Sequence, residues 1–582
     1  YQTETAVSGA RIYGRNIVSA ESFSALPEIN WQGHPGSLKL TGDIAWTKGI
    51  NEFFFHRYAH QANTKVEPGM TMGIWGSHID RTQTWWDNAG KSWFKYLARG
   101  QYMLRQGKPV ADLLVFVGDG SPNSSYQRRR INPALPSYVN YDNINSDALI
   151  NRVKVEGNKM VFPDGISYYM LNLKNMEEAS LPTLRKIAEL AEKGIIITGE
   201  KPKVLGGFNH SESEYKEFDK LVEQIWSAPN TLSSTPWEEI YEKYEIPKDL
   251  VIEGGEDITY IHRKTDQEDI YFFYNNLEND KIFRCTFNVT NKIPELWNQE
   301  TGIITKIAAF DNNSDGTTTA AIKLPAGGSV FIVFKESSKN VSSINSEFAL
   351  ENPQIAASLT NNNRLNYNIS KPGNYNIMSS NGKSESIRIE SIPDSINLTN
   401  DWEVSFPKVK EGSKTFEFNT LYDWTKHRNQ EVKYYSGTAT YEKTFKLKKR
   451  MISNDLKLML DLGKVDIAAR VILNGQDLGV LWKAPYKLDI SDAVVKGKNK
   501  LKIEVTNQWT NRLIGDKQYP DVSGYYDSEQ MPDWYKNNEP APLGKRSTFT
   551  TYDFFKDGGE LIPAGLIGPV TINYSKVIKM NK

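Results

Sequence analysis

The first hundred residues of the chain combine short apolar stretches with longer segments of helical periodicity. Residues 15–21 form an apolar stretch that ends on the carboxylate of Glu21, and residues 37–48 have the spacing of an amphipathic helix. The apolar stretch 52–58 predicts a buried strand, and residues 84–106 predict a second helix. Strand, loop and helix in this order, twice, are typical of parallel α/β structure, and two such units cannot close an eight-stranded barrel.

A second α/β block follows from about residue 110. Apolar strands are predicted at Val110–Val117, Ser167–Leu173 and Ile195–Thr198. An amphipathic helix is predicted at Leu181–Lys193, between the last two strands. This order predicts an open, doubly wound sheet of flavodoxin-like outline. No G-x-G-x-x-G loop accompanies it, so the sequence gives no support for nucleotide binding.

From about residue 250 the pattern changes to short alternating strands separated by turns. The first of these strands predict a β-sandwich of roughly a hundred residues. A polar stretch rich in Ser and Asn, at residues 337–346 and 361–363, is the best candidate for a linker. The block that follows is again all-β, with Asn474-Gly475 as a tight-turn signal. The sequence therefore predicts a multidomain protein with α/β and all-β parts.

The amino-acid composition argues against several classes of binding partner. The 582 residues include 70 acidic and 70 basic side chains, so the formal net charge is zero, and we expect no nucleic-acid partner. No run of about 18 apolar residues occurs, which argues against a membrane span. The single cysteine, Cys285, excludes an internal disulfide and a cysteine-based zinc site, and its alternating surroundings predict a core position. The chain begins at Tyr1 without Met or an apolar signal segment, so we expect a processed or shortened chain.

Glu21 is the first candidate for chemistry, because it ends a predicted parallel strand just before a loop. In (β/α) barrels the loops at the carboxyl ends of the strands build the active site. A surface carboxylate in a loop is the alternative. Trp31, His34 and Asp43 follow within the same βα unit, and we expect that packing does not require them.

The segment His56-Arg57-Tyr58-Ala59-His60-Gln61 ends the second predicted strand. Alternation predicts His56, Tyr58 and His60 on one side and Arg57 on the other. Imidazole, phenol and amide groups at a barrel mouth suit a polyhydroxylated ligand, which needs many directional hydrogen bonds. Core histidines bonded to the backbone are the alternative. A metal at His56 and His60 lacks a third ligand with diagnostic spacing, so we assign no metal ligands.

A glycine-rich loop carries Trp75 and His78, which we take as candidate substrate-binding residues. An indole in such a loop can stack on a sugar ring with little loss of side-chain entropy, whereas Trp86 and Trp93 are predicted to be structural. Asp142 in an acidic loop is a further candidate, with helix capping or turn chemistry as the alternative. No G-x-S-x-G, P-loop or H-E-x-x-H motif occurs, which removes the common signatures of hydrolases, kinases and zinc proteases.

Two groups of motifs, one near each end of the chain, carry a family resemblance. The first group comprises IYGRNIVSAESF at 12–23, GDIA and GIN within 42–51, FHRYAHQ at 55–61, and PGMTMG with WG at 68–76. The second group comprises YSGTATY at 435–441, LGKV at 462–465, LNGQDLG at 473–479, LWKAPY at 481–486, and TN with NRLIGD within 506–516. Together they resemble glycoside hydrolase family 106, the α-L-rhamnosidases. The second group is also similar to the galactose-binding-type jelly roll of family 2 glycosidases.

The resemblance implies a (β/α) barrel in which a general acid and a general base hydrolyse terminal rhamnosyl bonds of plant or microbial glycans with inversion. Glu21 matches the general base. His56, Arg57, His60 and Gln61 would then hold sugar hydroxyls. The resemblance also implies calcium in the active site, no organic cofactor, an oligosaccharide or polysaccharide substrate, and a periplasmic or secreted bacterial location.

The matching segment begins near the seventh strand of the barrel, and the strand that bears the general acid has no counterpart. The chain is then the C-terminal piece of a larger enzyme, the complement of a separate N-terminal barrel segment, or a relative that binds sugar without cleaving it. Two further functions stay open, a non-catalytic carbohydrate-binding protein and a retaining β-galactosidase-like hydrolase. The predicted domains are the C-terminal part of a (β/α)8 barrel at 1–108, a flavodoxin-like α/β domain at 109–230, a β-sandwich at 231–345, and a linker with a galactose-binding-like jelly roll at 346–582.

Overall fold

Two parallel βα units at the amino end are followed by an α/β block and by two antiparallel blocks. The computed structural model describes residues 2–26, 29, 31–71, 77–120, 123–131, 134–174, 176–255, 257–407, 412–525, 530–553 and 555–580. None of the helices within these ranges combines the length and the apolar character that a membrane crossing requires.

The amino-terminal units contain three helices and three short strands in the described ranges. These are α1 (Gln2–Ile12), β1 (Ser19–Ser22), α2 (Pro35–Thr47), β2 (Glu52–Phe55), β3 (Pro68–Gly69) and α3 (Lys91–Leu104). Strands β1 and β2 pair in parallel, with Glu21 opposite Phe54. The prediction of two parallel βα units is confirmed, and the two strands form a sheet of their own.

Strand β2 ends at Phe55 and not at Tyr58, because the backbone then bonds to a different segment. The carbonyl oxygen of Arg57 accepts a hydrogen bond from the N–H of Ile79 at 2.9 Å, which turns the chain away from β1. The second helix also starts later than predicted. Residues Trp86–Gly90 form a π-helical turn, and regular α-helix begins only at Lys91.

The helices of these units bury an aromatic core that includes Trp46, Trp85 and Trp93. Helix α3 approaches α2 closely at Gly100, where a Cβ atom would lie 2.3 Å from the Trp46 ring. The prediction that Trp93 is structural is confirmed, since it is fully buried. The expectation that packing does not require Trp31 and Asp43 is wrong, because both side chains are at most 1% exposed.

The α/β block is built around a five-stranded sheet. Its elements are β4 (Lys108–Pro109), β5 (Leu113–Phe116), β6 (Tyr141–Ile144), α4 (Ser146–Arg152), β7 (Lys154–Glu156), β8 (Lys159–Val161), β9 (Ser167–Tyr168), β10 (Met170–Asn172), β11 (Glu178–Ala179), α5 (Leu181–Glu192), β12 (Ile196–Thr198), β13 (Val204–Leu205), α6 (Glu212–Trp226), β14 (Thr231–Leu232) and α7 (Trp237–Lys243). The sheet order is β14-β12-β10-β5-β6 and all pairs are parallel. Numbered along the chain this is 2-1-3-4-5, an order of doubly wound sheets.

The next block is an antiparallel sandwich. Its strands are β15 (Leu250–Glu253), β16 (Ile258–Lys264), β17 (Asp269–Asn275), β18 (Lys281–Phe287), β19 (Lys292–Trp297), β20 (Ile304–Ile307), β21 (Phe310–Asn312), β22 (Thr318–Leu324) and β23 (Ser329–Ser337). The core prediction for Cys285 is confirmed, since its side chain is a free, fully buried thiol among aromatic rings. Strand β4 pairs with β16, so the sandwich also holds the chain that leaves α3.

The last block contains the second antiparallel core. Its elements are α8 (Ser346–Glu351), β24 (Ile355–Leu359), β25 (Leu365–Ile369), β26 (Gly373–Met378), β27 (Ser384–Ile389), β28 (Ile396–Asn397), β29 (Asn400–Phe406), β30 (Lys414–Thr420), α9 (Gln430–Lys433), β31 (Thr438–Leu447), β32 (Leu456–Asp461), β33 (Lys464–Val465), β34 (Ala468–Leu473), β35 (Gln476–Leu481), β36 (Lys487–Asp489), β37 (Gly497–Thr506), α10 (Thr510–Asp516), α11 (Asp533–Lys536), β38 (Phe549–Thr550), β39 (Leu566–Gly568) and β40 (Thr571–Lys579). A six-stranded sheet, β30-β29-β31-β37-β34-β35, packs on a longer one.

The longer sheet continues from this block into the sandwich, in the order β36-β32-β40-β25-β24-β20-β19-β23-β17-β16-β4. Strand β20 pairs with β24 across the predicted boundary at residue 345. The stretch predicted as a linker is therefore packed. Ile344 is 1% exposed, Asn345 caps α8, and residues 361–363 form the turn between β24 and β25.

The last block also returns to the amino-terminal units. The indole N–H of Trp509 donates to the carbonyl oxygen of Thr82, and the hydroxyl of Thr510 donates to that of Trp31. Strand β38 pairs in parallel with β3, with Phe549 opposite Pro68. The loops after β1 and β2 are thus covered by residues more than four hundred positions away.

Candidate active site

Glu21 lies near the carboxyl end of β1 with its side chain exposed to solvent. Side chains along β1 alternate between exposed and half-buried, which follows from the two-residue period of a strand. The hydroxyl of Ser24 donates a hydrogen bond to Oε1 of Glu21 at 2.8 Å. Such a bond orients the carboxylate and leaves it able to accept a proton from a water molecule.

The segment after β2 keeps the predicted alternation of exposure although the strand ends at Phe55. His56 is half-buried and His60 is exposed, whereas Arg57 and Gln61 are buried. The N–H of His56 donates to the carbonyl oxygen of Ser22 at 3.0 Å, which places it beside the Glu21 strand end. Nδ1 of His56 is buried and has no hydrogen-bond partner among the described residues.

The buried members of the segment hold the neighbouring loops. The amide of Gln61 donates to the carbonyl oxygen of Met70 at 2.6 Å and accepts from its N–H at 2.8 Å. The same amide reaches Asp80 at 3.5 Å, and burial raises the pKa of that carboxyl. Burial also lowers the pKa of the Arg57 guanidinium. Gln61 thus fixes the loop that leads to the glycine-rich segment.

His78 is fully buried and packs against Trp31, with ring centroids 4.4 Å apart and ring planes tilted by 32°. Burial, followed by the nearby charges of Arg57 and His56, lowers the pKa of His78 to about 3. Burial also lowers the pKa of His34 to about 4. Both imidazoles are therefore neutral at neutral pH, when each ring has one donor and one acceptor nitrogen.

The loops that carry these residues are joined to one another. The hydroxyl of Ser77 donates to the carbonyl oxygen of Phe23 at 2.5 Å, and the N–H of Ser77 donates to that of His56 at 3.4 Å. Arg81 donates to the carbonyl oxygen of Gln61 at 3.2 Å. The structure therefore brings Glu21, His56, Arg57, His60, Gln61 and His78 to one edge of the β1–β2 pair.

Of the other predicted residues, Asp142 is not part of this group. Trp75 lies outside the described residues. Asp142 is buried on β6 in the α/β block, where it pairs with Arg11 at 3.2 Å and accepts from the Tyr168 hydroxyl at 2.8 Å. Burial raises the pKa of Asp142. These contacts fasten α1 to the α/β sheet and leave Asp142 apart from the loops after β1 and β2.

The C-terminal block contributes residues that the sequence did not suggest. The N–H of Thr71 donates to the hydroxyl of Thr551 at 2.8 Å, and the Trp31 indole donates to the carbonyl oxygen of Tyr552 at 3.3 Å. Beside them lies a cavity of about 160 Å³, whose charged lining includes Lys517 and Asp553 at 2.7 Å from each other. The NRLIGD motif at 511–516 marks this region in the sequence, but nothing local connects it to Trp31.

The calcium ion that the resemblance implies stays a prediction, because its ligands can also be backbone, amide and water oxygens. In the parts of the chain that the structure describes, no three or more His, Cys, Asp or Glu side chains come together as a group that could hold a metal ion. We derive no catalytic step through a metal.

Known proteins resemble the chain over different spans. A family model described as alpha-L-rhamnosidase, glycoside hydrolase family 106, matches residues 2–311. A second, described as the galactose-binding domain-like part of glycosyl hydrolase 2, matches residues 418–540. The structure of a rhamnosidase from Novosphingobium sp. PP1Y is similar with a TM-score of 0.78 and 27% identity, over 99% of this chain and 49% of that one.

A protein of Formosa agariphila that carries the name "Putative beta-glucuronidase" is 29% identical over 97% of this chain and 63% of its own length. The chain thus spans about half of the rhamnosidase and less than two thirds of the Formosa protein. The first family model covers more than half of the chain and includes both strand ends described above. The chain therefore belongs to glycoside hydrolase family 106, the alpha-L-rhamnosidase family.

Proposed function

We propose that the chain contributes the general base and part of the sugar site of an inverting α-L-rhamnosidase. The position of Glu21 carries the proposal, since it is an exposed carboxylate near the carboxyl end of a parallel strand in a chain of this family. In a (β/α) barrel this edge is where catalytic side chains lie. Glu21 would take a proton from the water that attacks the anomeric carbon.

Inversion needs a second carboxyl group about 6.5–9.5 Å from the first, so that a water molecule fits beside the sugar. The two βα units offer Glu21, and the imidazoles of His34 and His78 in the same units are neutral. We assign the general acid to a barrel segment that precedes these units. His56, His60 and Arg57 would bind sugar hydroxyls, and Gln61 would act by holding the loop at Met70.

The small size of the β1–β2 sheet supports the presence of such a barrel segment. The pair forms a two-stranded sheet with no further strand among the described residues, and Phe54 is 61% exposed on it. A two-stranded parallel pair is not stable by itself, and a face this apolar marks an interaction surface. The lengths of the two relatives leave room for a barrel segment of this kind.

The proposed substrate is a terminal rhamnosyl residue on an oligosaccharide or polysaccharide, outside the cytoplasm in the periplasm or in secreted form. The name of the Formosa relative provides a second substrate to test, a β-glucuronide. Calcium stays a prediction of the family resemblance.

The test measures hydrolysis of aryl α-L-rhamnosides and aryl β-glucuronides by the chain alone and by the chain mixed with the upstream barrel segment. Rhamnoside hydrolysis by the mixture, with inversion seen by proton NMR of the first product, is the expected result. Glu21→Gln should lower the rate by about 10²- to 10⁴-fold. Glu52→Gln is the matched control, because Glu52 starts the neighbouring strand and pairs with Arg105 at 3.0 Å. Turnover that survives Glu21→Gln, or retention of configuration, would contradict the proposal.

A further inference from the structure

A small pocket lies at the opposite edge of the β1–β2 pair from Glu21. It has a volume of about 220 Å³ and lies between the end of α1, the residues that precede β1 and β2, and the strands β4 and β16. Asn16 and Val18 precede β1, and Gly49 and Asn51 precede β2, so the pocket is at the amino ends of both strands. In barrel proteins the active site is at the carboxyl ends, so this pocket is a separate site.

The charged groups of the pocket are mostly cationic. Its lining contains Arg11, Arg15, Lys108 and Arg263 against the single carboxylate of Asp164, an excess of three positive charges. The whole chain has a formal net charge of zero, so this excess is local. Several cations around one concave space create a positive potential that concentrates anions.

Arg263 is the buried member of this group, with 5% of its surface exposed. Its guanidinium donates to the carbonyl oxygens of Gln106 at 2.6 Å and Gly107 at 2.7 Å, and to the side-chain oxygen of Asn16. All three acceptors are uncharged, and no carboxylate pairs with Arg263 among the described residues. Burial and the like charge of Arg11 lower the pKa of Arg263 to about 10. A buried guanidinium normally has an anionic partner, because leaving its charge uncompensated is costly.

Ion pairs with residues outside the pocket do not remove this excess of positive charge. Arg15 and Lys108 are exposed at the rim and form no ion pair within the described ranges. Asp164 is 3.4 Å from Arg152, which lies outside the pocket lining. Arg11 pairs with Asp142, which neutralises one of the four cations. Arg263, Arg15 and Lys108 therefore remain to bind an anion from solution.

We propose that this pocket binds a small oxyanion, such as sulfate, phosphate or a carboxylate group, between Arg263 and the rim residues Arg15 and Lys108. A guanidinium suits this role, because its planar array of N–H donors matches the oxygen atoms of such anions. The volume is large enough for an oxyanion with part of its hydration shell.

The bound anion would stabilise the junction between three parts of the chain. Arg15 lies between α1 and β1, Lys108 is on β4 and Arg263 is on β16, so an anion between them offsets the repulsion that their approach creates. The anion is either a free inorganic ion or an anionic group on a saccharide. Both would present anionic oxygen atoms to the guanidinium. The proposal does not depend on the rhamnosidase reaction.

Calorimetric titration and thermal unfolding of the 582-residue chain test the proposal with sodium sulfate, sodium phosphate and sodium glucuronate as probes. Sodium chloride at equal ionic strength is the reference. A specific site gives a stabilisation that saturates with anion concentration, whereas the general effect of sulfate on proteins keeps rising. We expect saturable binding of at least one probe. The probe that binds most tightly shows whether the site takes a free inorganic ion or an anionic group on a saccharide.

Arg15→Gln and Lys108→Gln are each expected to weaken binding about tenfold, and Arg263→Gln to abolish it. The matched control is Lys498→Gln, which removes one exposed positive charge on β37, far along the chain from the pocket. If Arg263→Gln does not fold, the Arg15→Gln/Lys108→Gln double variant gives the same readout from the rim. Stabilisation that never saturates, or equal binding by the rim variants and the control, would overturn the proposal.

Discussion

The indole N–H of Trp509 donates a hydrogen bond to the backbone carbonyl oxygen of Thr82 at 2.8 Å, across 427 positions of sequence. Trp509 is buried beside Trp31 and Leu513. The bond joins the C-terminal block to the loop that carries His78. It is therefore a contact on which the shape of the candidate active site depends.

Trp509→Phe keeps an aromatic ring but removes the N–H donor. We expect a loss of about 1–2 kcal/mol in the free energy of unfolding, since a buried acceptor then lacks its partner. Hydrogen exchange at residues 77–85 should become faster, because the loop loses its attachment. Trp402→Phe is the matched control, since the Trp402 indole donates to the carbonyl oxygen of Leu398 within its own block. Equal exchange at 77–85 in both variants would show that the bond does not hold the loop.

Lys39 and Asp43 form a buried ion pair at 2.5 Å on helix α2. The ammonium of Lys39 also donates to the carbonyl oxygen of Gly327 at 2.8 Å and to the Ser329 hydroxyl at 3.1 Å, and Tyr96 donates to Asp43. Burial lowers the pKa of Lys39 and raises that of Asp43. The network therefore links α2 and α3 to the sandwich.

Lys39→Met should lower the free energy of unfolding in urea by about 3–5 kcal/mol, because it leaves the Asp43 carboxyl buried without its cation. The double variant Lys39→Met/Asp43→Leu should recover much of this loss, since no charge then remains buried. A double variant as unstable as Lys39→Met would mean that packing, and not the uncompensated charge, determines the loss.

Replacing either of two helical glycines by alanine is expected to change the stability of the protein, in opposite directions. A Cβ at Gly100 would lie 2.3 Å from the Trp46 ring, so Gly100→Ala should destabilise the protein by about 1–3 kcal/mol. A Cβ at Gly9 in α1 meets no atom within 4 Å, so Gly9→Ala should stabilise it by about 0.5–1 kcal/mol through helix propensity. Thermal unfolding of the two variants checks both signs, and a stabilising Gly100→Ala would contradict the close approach of α2 and α3.

The raised pKa of Asp112 is expected to make the stability of the protein depend on pH. Burial, followed by the charge of Asp249, raises the pKa of Asp112 from 3.8 to about 7, and the Tyr241 hydroxyl donates to it at 2.8 Å. Between these two pKa values the folded chain holds a proton that the unfolded chain has lost. The contribution to stability is thus fully present below about pH 4 and is lost as the pH rises through about 7.

Asp112→Asn removes this titration while keeping an acceptor for Tyr241. We expect the variant to be more stable than the wild type at pH 8, by as much as about 4 kcal/mol, and to lose less stability between pH 5 and 8. Asp466, whose pKa burial and Asp423 also raise to about 7, keeps part of the pH dependence in the variant. Parallel pH profiles for variant and wild type would show that Asp112 does not carry the effect.

Local signals in the sequence were sufficient to predict some of the helices and strands. Helix α5 is predicted at Leu181–Lys193 and observed at Leu181–Glu192, because Ser180 caps its start and Gly194 follows its end. The parallel β1–β2 pair and the strand-end position of Glu21 also follow from the apolar pattern. In each case the determining interactions lie within a few residues or within one repeat.

Other features depend on distant partners and could not be read from the pattern. The run EFFFHRY suggests a strand as far as Tyr58, yet β2 ends at Phe55 because Arg57 bonds to Ile79. The sequence pattern gives Trp31 no role in packing, but Trp509 and Leu513 of the C-terminal block bury it. The polar stretch at 337–346 has the composition of a linker, yet it is packed because Ile344 forms β-bridges with Ala309 and Ser379.

The contacts of residues 509–552 with the loops after β1 and β2 also have a consequence for biosynthesis. A ribosome releases the Glu21 strand hundreds of residues before Trp509, Thr551 and Tyr552. Until these residues are made, Trp31 and the carbonyl group of Thr82 lack their hydrogen-bond partners, so the candidate active site can reach its native form only after residues 509–552 have been synthesised. A nonsense mutation shortly before residue 509 would therefore remove the support of residues encoded in the first fifth of this sequence.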